Sequence, residues 1–200
     1  MLSRKKPVLI PYSLKWRDFA WLITFGLLAV IIFLLSSSKA NAQVPSQSKV
    51  DFVTYRSDSS FSISIPDYLV QVNDLSSQAT LQFKNIFNKS YLMVVVEDKS
   101  ETQHDNVEQL EEHFKANLLF NGGLLTSQVE LSIDHCKSFQ NEAEWTVEGE
   151  SLAYLITFIE TPHTLYKIYC WTLASQKDYL NHFKQASNSF VVHKNYQTKI

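Results

Sequence analysis

The sequence predicts an α+β domain in which helices pack on a mostly antiparallel β-sheet. Stretches with the pattern of strands are grouped together and are separated from two helical stretches, in the order ββββ-α-ββββ-α. The links between the later strands are short, which favours antiparallel neighbours because parallel strands need a long crossover. Residues 43–200 are numerous enough to bury the core of one such domain.

The first two strands are predicted from residues that alternate between apolar and polar. In "SFSISIP", Phe61, Ile63 and Ile65 share one face and the serines take the other, which is the period of a half-buried strand. The preceding "VDFVTYRS" alternates too, and the turn-rich "RSDSS" predicts a hairpin between the two. Pro66 ends the second strand because it has no N–H to donate.

The next two strands differ in pattern. "ATLQFKNIF" alternates through Leu81 and Phe83 and, less strictly, Ile86 and Phe87. After the turn "NKS", the stretch "YLMVVVE" is continuously apolar. An unbroken apolar run of this length is typical of a central strand that is covered on both faces.

The first helix is predicted between Asp105 and Asn121. Asp105 is an N-cap candidate, and Glu108 lies three residues later in the spacing of a capping box. Glycines 122 and 123 end the helix, because glycine accepts the left-handed conformation that often follows a helix. Apolar residues at helical spacing form one stripe: Val107, Leu110, Phe114 and Leu118.

Four strands and a helix complete the domain. The strands are predicted in "SQVELSI", "KSFQNEAEWTV", "SLAYLITFIE" and "TLYKIYCWTL", and the short links "EGE" and "TPH" make the last three an antiparallel meander. Ser175 is the N-cap candidate of the closing helix. Its apolar face is formed by Tyr179, Leu180, Phe183, Ala186, Ser187 and Phe190.

The N-terminal residues have the pattern of a secretory signal peptide over residues 1–42. A basic start precedes the uncharged run Phe19–Leu35, and small residues at Ala40 and Ala42 predict cleavage between Ala42 and Gln43. Residues 43–49 are then a flexible lead-in, residues 50–193 a single α+β domain and residues 194–200 a tail. The expected location is extracytoplasmic, periplasmic or secreted.

An uncleaved anchor is the alternative for residues 19–35. The run is at the short end of the roughly 17–25 residues that span a bilayer. The positive charge on its N-terminal side also predicts that the following domain lies outside the cytoplasm. Membrane contact is thus expected only through this segment.

The charge of the remaining chain argues against nucleic-acid binding. Residues 43–200 carry 12 basic and 19 acidic side chains, a net charge of −7. Such a domain repels phosphate backbones. The sequence also contains no Walker loop, dinucleotide fingerprint, G-x-S-x-G or C-x-x-C motif, so no cofactor is expected.

The order of the elements and their anchors resembles the PsbP/Mog1-like fold family. The resemblance covers most of residues 50–192: the opening pair "FVTYRS…SFSISIPDYL", a second strand pair, a helix, a meander containing "LYKIYCWTL" and a closing helix that ends in "SNSF". It implies an α/β/α sandwich that acts through its surface, typically without catalysis. The quoted motifs are apolar and aromatic anchors, so the resemblance implies no partner and no site residue.

Cys136 and Cys170 are the two cysteines of the chain. An oxidising compartment permits one disulfide between them, provided that their Cα atoms come within about 4.4–6.8 Å of each other. The alternative is two separate thiols, buried or partly buried, because free cysteine is among the most buried residue types. The sequence leaves both open.

Three histidines are candidates for chemistry: His104, His135 and His163. In "DHC", His135 stands between Asp134 and Cys136, but adjacent strand residues point to opposite faces and cannot form a triad by themselves. "HDNVEQLEEH" begins at His104 and looks rich in metal ligands, but it lacks the paired histidines of a zinc helix. A hydrolase or metal-dependent enzyme is therefore the less favoured hypothesis, and no catalytic or metal-binding residue is assigned.

Aromatic residues are candidates for a sugar- or peptide-binding groove, or for packing within the sheet. They are Tyr91, Trp145, Tyr154, Tyr166, Tyr169 and Trp171. If the last meander strand has a binding role, the exposed face that carries Lys167 and Tyr169 is the expected one. The overall prediction is a non-enzymatic binding module of the bacterial cell envelope that contacts a protein or a small ligand. A membrane-tethered envelope assembly factor is the alternative.

Overall fold

The computed structural model describes residues 50–57 and 60–193. The predicted signal peptide, its apolar run 19–35, the lead-in 43–49 and the tail 194–200 lie outside the described residues. Among those that are described, no helix has both the length and the apolar character needed to cross a membrane.

Ten strands, two α-helices and one 3₁₀-helix make up the described part of the chain. In chain order they are β1 (Phe52–Ser57), β2 (Phe61–Pro66), β3 (Val70–Gln71), β4 (Ala79–Asn85), β5 (Ser90–Asp98), α1 (Val107–Phe120), β6 (Leu124–Ile133), β7 (Cys136–Val147), β8 (Glu150–Glu160), β9 (Thr164–Leu173), the 3₁₀-helix (Ala174–Tyr179), α2 (Leu180–Asn188) and β10 (Val191–Val192).

The strands form two sheets, and every pairing between them is antiparallel. The large sheet has the order β3-β4-β5-β9-β8-β7-β6, and the small sheet has the order β1-β2-β10. The predicted meander β7-β8-β9 is confirmed, and the hairpin β6–β7 extends it. The predicted α+β class is confirmed.

The large sheet separates two layers. One face, here called the core face, carries Leu155, Ile159 and Ile168, which pack with α2 and the small sheet in the main core. The opposite face carries Phe158, whose ring meets that of Phe114 on α1 at 5.8 Å, and is here called the α1 face. Neighbouring strand residues point to opposite faces, so Phe158 and Ile159 place the two helices on opposite sides of the sheet.

The central position of β5 is confirmed. Tyr91, Leu92, Met93, Val94 and Val95 are all buried, because β4 and β9 flank the strand and both faces of the sheet are covered. The prediction for the end of β4 was wrong. The strand stops at Asn85, whose side-chain oxygen accepts a hydrogen bond from the Phe87 N–H, and the next two residues, Ile86 and Phe87, are exposed in the turn.

The start of α1 lies one residue later than predicted. Asn106 is the N-cap, and its Oδ1 accepts a hydrogen bond from the Gln109 N–H at 2.9 Å. Gln109 returns the contact by accepting from the Asp105 N–H, 3.0 Å away. Asp105 therefore precedes the helix. The predicted end is confirmed, with Asn121 as C-cap and Gly122 at a φ of 76°.

The closing helix begins differently from the prediction. Residues Ala174–Tyr179 form a 3₁₀-helix with no side-chain cap, and α2 follows from Leu180, so Ser175 is not an N-cap. The predicted apolar face is largely confirmed, since Leu180, Phe183, Ala186 and Ser187 are buried. Two short strands, β3 and β10, had not been predicted; each has two residues, too few to show a period.

Candidate interaction surface

The three candidate histidines lie in three different connections. His104 precedes α1, His135 lies in the β6–β7 turn and His163 lies in the β8–β9 turn. His135 and His163 are exposed, whereas the His104 ring meets the His113 ring edge-on at 5.1 Å. Within residues 50–57 and 60–193, no three His, Cys, Asp or Glu side chains are grouped so that they could hold a metal ion.

The "DHC" segment forms a tight turn. Asp134 and His135 both have positive φ, 48° and 63°, which is the conformation of a two-residue hairpin turn. The Cys136 thiol contacts the Asp134 backbone oxygen at 3.5 Å. Burial, together with the Asp134 carboxylate, raises the pKa of Cys136, whereas a nucleophilic cysteine needs a lowered pKa.

Cys136 and Cys170 are free thiols in the structure. Cys170 is fully buried on the core face. In the strand register it lies opposite Leu155 of β8, which lies opposite Glu142 of β7. Cys136 lies six residues before Glu142, which corresponds to about 20 Å along the strand. That spacing is far beyond the reach of a disulfide, so the arrangement of the strands keeps the two thiols apart.

Five of the six aromatic candidates share the α1 face of the sheet. Tyr91, Trp171 and Tyr154 lie side by side on β5, β9 and β8, with ring centroids 5.0 and 6.4 Å apart. Trp145 continues this aromatic row at 6.4 Å from Tyr154. Tyr91, Trp171 and Tyr154 are 5–7% exposed, so packing already occupies most of their surface.

The remaining two candidates, Tyr166 and Tyr169, point to opposite faces. Tyr166 belongs to the main core, where its ring contacts those of Phe61 and Phe190. Tyr169 lies on the α1 face and is half-buried. Burial raises the pKa of Tyr169, and the Glu97 carboxylate adds to this effect. The six aromatic residues therefore do not form one groove.

Lys167 is a buried cation on the α1 face, and not the exposed residue that its strand position predicted. It is 6% exposed, and its Nζ lies 2.6 Å from Glu97 Oε1. Burial lowers the pKa of Lys167, while Glu97 opposes that effect. The other Glu97 oxygen accepts from Thr102 at 3.2 Å, and Thr102 Oγ1 is 3.4 Å from His104 Nδ1. These contacts tie the loop before α1 to the sheet.

An exposed apolar surface lies where α1 ends and β6 begins. Leu119, Phe120 and Leu124 are 66%, 75% and 60% exposed, and we call these three residues the apolar ridge. The sequence did not reveal it, because "NLLF" reads as a continuation of the buried stripe of the helix. Leu118 is the last buried residue of that stripe, whereas Leu119 and Phe120 lie in the same last turn but off the stripe, on the exposed side of the helix.

The ridge is held by the end of the helix. The Asn121 N–H donates to the Asn117 carbonyl at 3.1 Å, and the Gly123 N–H donates to the Leu118 carbonyl at 2.8 Å. A Cβ at Gly123 would lie 2.2 Å from Leu118 Cδ1, so any other residue would force the Leu118 side chain to shift. The chain thus turns sharply into β6, and backbone hydrogen bonds hold the turn between Phe120 and Leu124.

No protein-family model matches this chain. No curated protein matches it in sequence either.

Solved structures do match it. Cyanobacterial PsbP (CyanoP) from Synechocystis sp. PCC 6803 is 15% identical, with a TM-score of 0.54 over 79% of this chain and 99% of that one. LpqN, involved in cell envelope biogenesis of Mycobacterium tuberculosis, is 9% identical, with a TM-score of 0.54 over 73% and 92%. The Ran-binding protein Mog1p of Saccharomyces cerevisiae is 5% identical, with a TM-score of 0.51 over 74% and 98%. The chain has the PsbP/Mog1-like fold.

Proposed function

We propose that the protein is a non-enzymatic binding module of the bacterial cell envelope, which contacts another envelope protein through the apolar ridge. The observation that carries this proposal is the exposure of three large apolar side chains at the end of α1 and the start of β6. Exposed apolar surface of this kind marks interaction sites when it is contiguous. Leu119 and Phe120 are adjacent in the last turn of α1, and Leu124 begins the strand that follows the turn at Gly122 and Gly123.

The energy available at the ridge fits a protein partner. Burial of one Leu or Phe side chain contributes roughly 1.5–3 kcal/mol. Since about two thirds of the ridge surface is open, its coverage would supply about 3–6 kcal/mol before the cost of association. That amount can supply the centre of an interface, with polar residues around it adding specificity.

The fold supports a module that acts by contact. Of the three structures with this fold named above, Mog1p binds Ran and LpqN is involved in cell envelope biogenesis. The extracytoplasmic location rests on the signal-peptide pattern of residues 1–42. If residues 19–35 stay uncleaved, the module is a membrane-tethered assembly factor instead. N-terminal sequencing of the exported protein separates the two, because cleavage gives a chain that starts at Gln43.

The geometry gives less support to the enzyme hypothesis. His104, His135 and His163 lie in separate connections, and the turn at Asp134 directs the Cys136 thiol to a backbone oxygen. The raised pKa of Cys136 disfavours the thiolate that a nucleophile requires. The buried pair of Lys167 and Glu97 has a structural explanation, since it joins β9 to β5 and to the loop before α1.

A photoreactive amino acid at position 120 tests the proposal. We expect irradiation of the envelope to link it to a discrete heterologous protein. The same residue at position 87, which is also highly exposed but lies in the β4–β5 turn, is the matched control. Leu119→Asp should reduce the product from position 120 at least tenfold. The proposal fails if positions 120 and 87 yield the same products, or if Leu119→Asp has no effect.

A further inference from the structure

Strand β6 is a long and open edge of the large sheet. It has ten residues and pairs with β7 along one side, and no strand among residues 50–57 and 60–193 pairs with its other side. Every second residue of such a strand directs its N–H and C=O groups outward. Proteins usually protect long edges with lysine or proline, but "LLTSQVELSI" contains neither and has one charge, Glu130.

The other edges of the two sheets are short or carry a positive charge. β3 and β10 have two residues each, and β1 has six with Arg56 among them. The ladder of β6 with β7 shifts register between Leu125 and Ser127 and is regular from Ser127 to Ile133. The regular part of β6 is therefore a template for one more strand, which is a common mode of protein recognition.

We propose that β6 pairs with β6 of a second copy of this chain, antiparallel, about a two-fold axis at Val129. The two large sheets then join into one continuous sheet across the interface. In this register, Val129 faces Val129 of the second copy, Gln128 faces Glu130, and Ser127 faces Leu131. Each residue of the interface has its complement in the same strand, which is the property that a two-fold interface needs.

The side chains on the core face favour this register. Val129 and Leu131 lie on that face, since Leu131 packs against the main core and Val129 is two residues away. Val129 is 52% exposed in the single chain, so its contact with a second Val129 removes apolar surface from water. Cross-strand pairs of β-branched residues are favourable in antiparallel sheets.

The α1 face adds complementary polar groups. Gln128 and Glu130 lie on this face, where Lys115 of α1 donates to Gln128 Oε1 at 3.2 Å. In the proposed register, Gln128 faces the Glu130 carboxylate of the second copy, which can accept from its amide. Lys115 already pairs with Glu111 at 3.1 Å, and Glu130 with Lys137 at 3.7 Å. The contact that this register adds is therefore the hydrogen bond between Gln128 and Glu130, which occurs twice by symmetry.

Neighbouring registers are worse. An axis at Glu130 places the two Glu130 carboxylates opposite each other, and like charges in directly facing positions destabilise a sheet. An axis at Gln128 places Leu131 against Leu125, where the β6 ladder is irregular. The sequence of the strand therefore favours the axis at Val129 over both neighbouring registers, and the match of the strand to itself favours a second copy as the partner.

The pairing leaves Leu119 and Phe120 of the apolar ridge uncovered, since they lie on α1 and not on β6. Because the strands run in opposite directions, Leu124 of each copy lies level with Asp134 of the other, and the two ridges lie about 34 Å apart along the strands. Self-pairing and the proposed function thus depend on different residues: Val129 at the axis, and Leu119 and Phe120 at the ridge. Each can fail in experiment without the other.

Disulfide trapping of the full chain in mild detergent tests the pairing. Directly opposite Cα atoms in an antiparallel ladder are about 4.5–5.5 Å apart, within the range of a disulfide. In a Cys136→Ser background, we expect Val129→Cys to form a covalent dimer on oxidation. Val53→Cys, an exposed position on edge strand β1 of the small sheet, is the matched control and should stay monomeric. Gln128→Cys and Glu130→Cys should cross-link when mixed, and far less when each is alone.

A charge at the axis should separate the copies. We expect Val129→Lys to raise the dimer dissociation constant at least tenfold in analytical ultracentrifugation, while Val53→Lys leaves it unchanged. The proposal is overturned if the wild-type chain is monomeric at tens of micromolar, if Val129→Cys cross-links no better than Val53→Cys, or if Val129→Lys leaves the dimer intact. If photo-crosslinking from position 120 persists in the Val129→Lys monomer, the proposed function does not depend on self-pairing.

Discussion

Tyr91 shows how a single residue couples packing to pH. Its ring stacks on that of Trp171 at 5.0 Å with 13° between the planes. Burial, together with the Glu150 carboxylate, raises the pKa of Tyr91 to about 12. An unfolded tyrosine releases its proton near pH 10. The stabilisation from protonated Tyr91 is therefore complete below about pH 10 and is lost as the pH rises towards 12.

Tyr91→Phe should make the protein less sensitive to alkali. The substitution keeps the stacked ring and removes the ionisable group, so we expect similar free energies of unfolding for both chains at pH 7. Between pH 10 and 11, the free energy of the variant should fall less steeply. Urea titrations at pH 7, 9, 10 and 11 measure the free energy of unfolding of both chains. If it falls equally steeply with pH in both above pH 10, the cause assigned to the pKa shift is contradicted.

At the scale of an element, the N-terminus of α1 is fixed from two directions. Asn106, the residue directly before the helix, caps it with its side chain. From the sheet, Glu160 Oε2 of β8 accepts a hydrogen bond from the Val107 N–H at 3.0 Å. Glu160 also forms an ion pair with Lys99. Two of the N–H groups that a helix leaves without an internal partner are thus satisfied, one by a side chain of the sheet.

Asn106→Ala should destabilise the protein by about 1 kcal/mol, the usual cost of removing an N-cap side chain. Asp105→Ala is the matched control, because Asp105 precedes the helix and contributes a backbone N–H that alanine keeps. Its effect should stay within about 0.5 kcal/mol. Urea unfolding monitored by circular dichroism gives both values. A larger loss for Asp105→Ala would place the start of the helix one residue earlier.

The elements that the sequence predicted well are those with a strong period or an unbroken apolar run. β2, β5 and the stripe of α1 are of this kind. β3 and β10 were missed because their two residues pair only in the context of a sheet formed elsewhere. The exposed end of β4 was missed because Ile86 and Phe87 are apolar, and composition cannot tell that Asn85 has already turned the chain.

The candidate site was harder to predict than the fold. The aromatic residues were identified, but the face on which each lies depends on the register of four strands. The apolar ridge was missed because Leu119 and Phe120 continue an apolar run after Leu118, although they lie off the buried stripe of α1. Lys167 was expected to be exposed from its alternation along β9, whereas the loop through Thr102 and the Glu97 carboxylate enclose it.

At the scale of the whole molecule, three aromatic rings join the two sheets and α2. Phe190 follows α2, Phe61 belongs to the small sheet and Tyr166 belongs to the large sheet. Their ring centroids are 4.9, 5.0 and 5.8 Å apart. Because each ring comes from a different layer, the small sheet cannot separate from the large one without breaking this cluster.

Phe190→Ala should destabilise the whole described domain by about 3–5 kcal/mol, as expected for a large-to-small change in a core. Phe87→Ala, in the exposed turn, should cost less than about 0.5 kcal/mol. Far-UV and near-UV circular dichroism should give one urea midpoint for each chain. Two separate midpoints in the Phe190 variant would show that the layers unfold independently.

The pairing of β5 with β9 has a consequence for the rate of folding. Within the described residues, the five other ladders of the large sheet all join strands that are neighbours in sequence, so they can form as local hairpins. The β5–β9 ladder joins Tyr91 to Trp171. Two ion pairs next to it, Lys89–Glu150 and Lys99–Glu160, connect the ends of β5 to those of β8, and each joins residues 61 positions apart. The entropy of closing that long loop must be lost before these contacts form. The slow step of folding should therefore be the joining of two hairpin-built halves along β5 and β9.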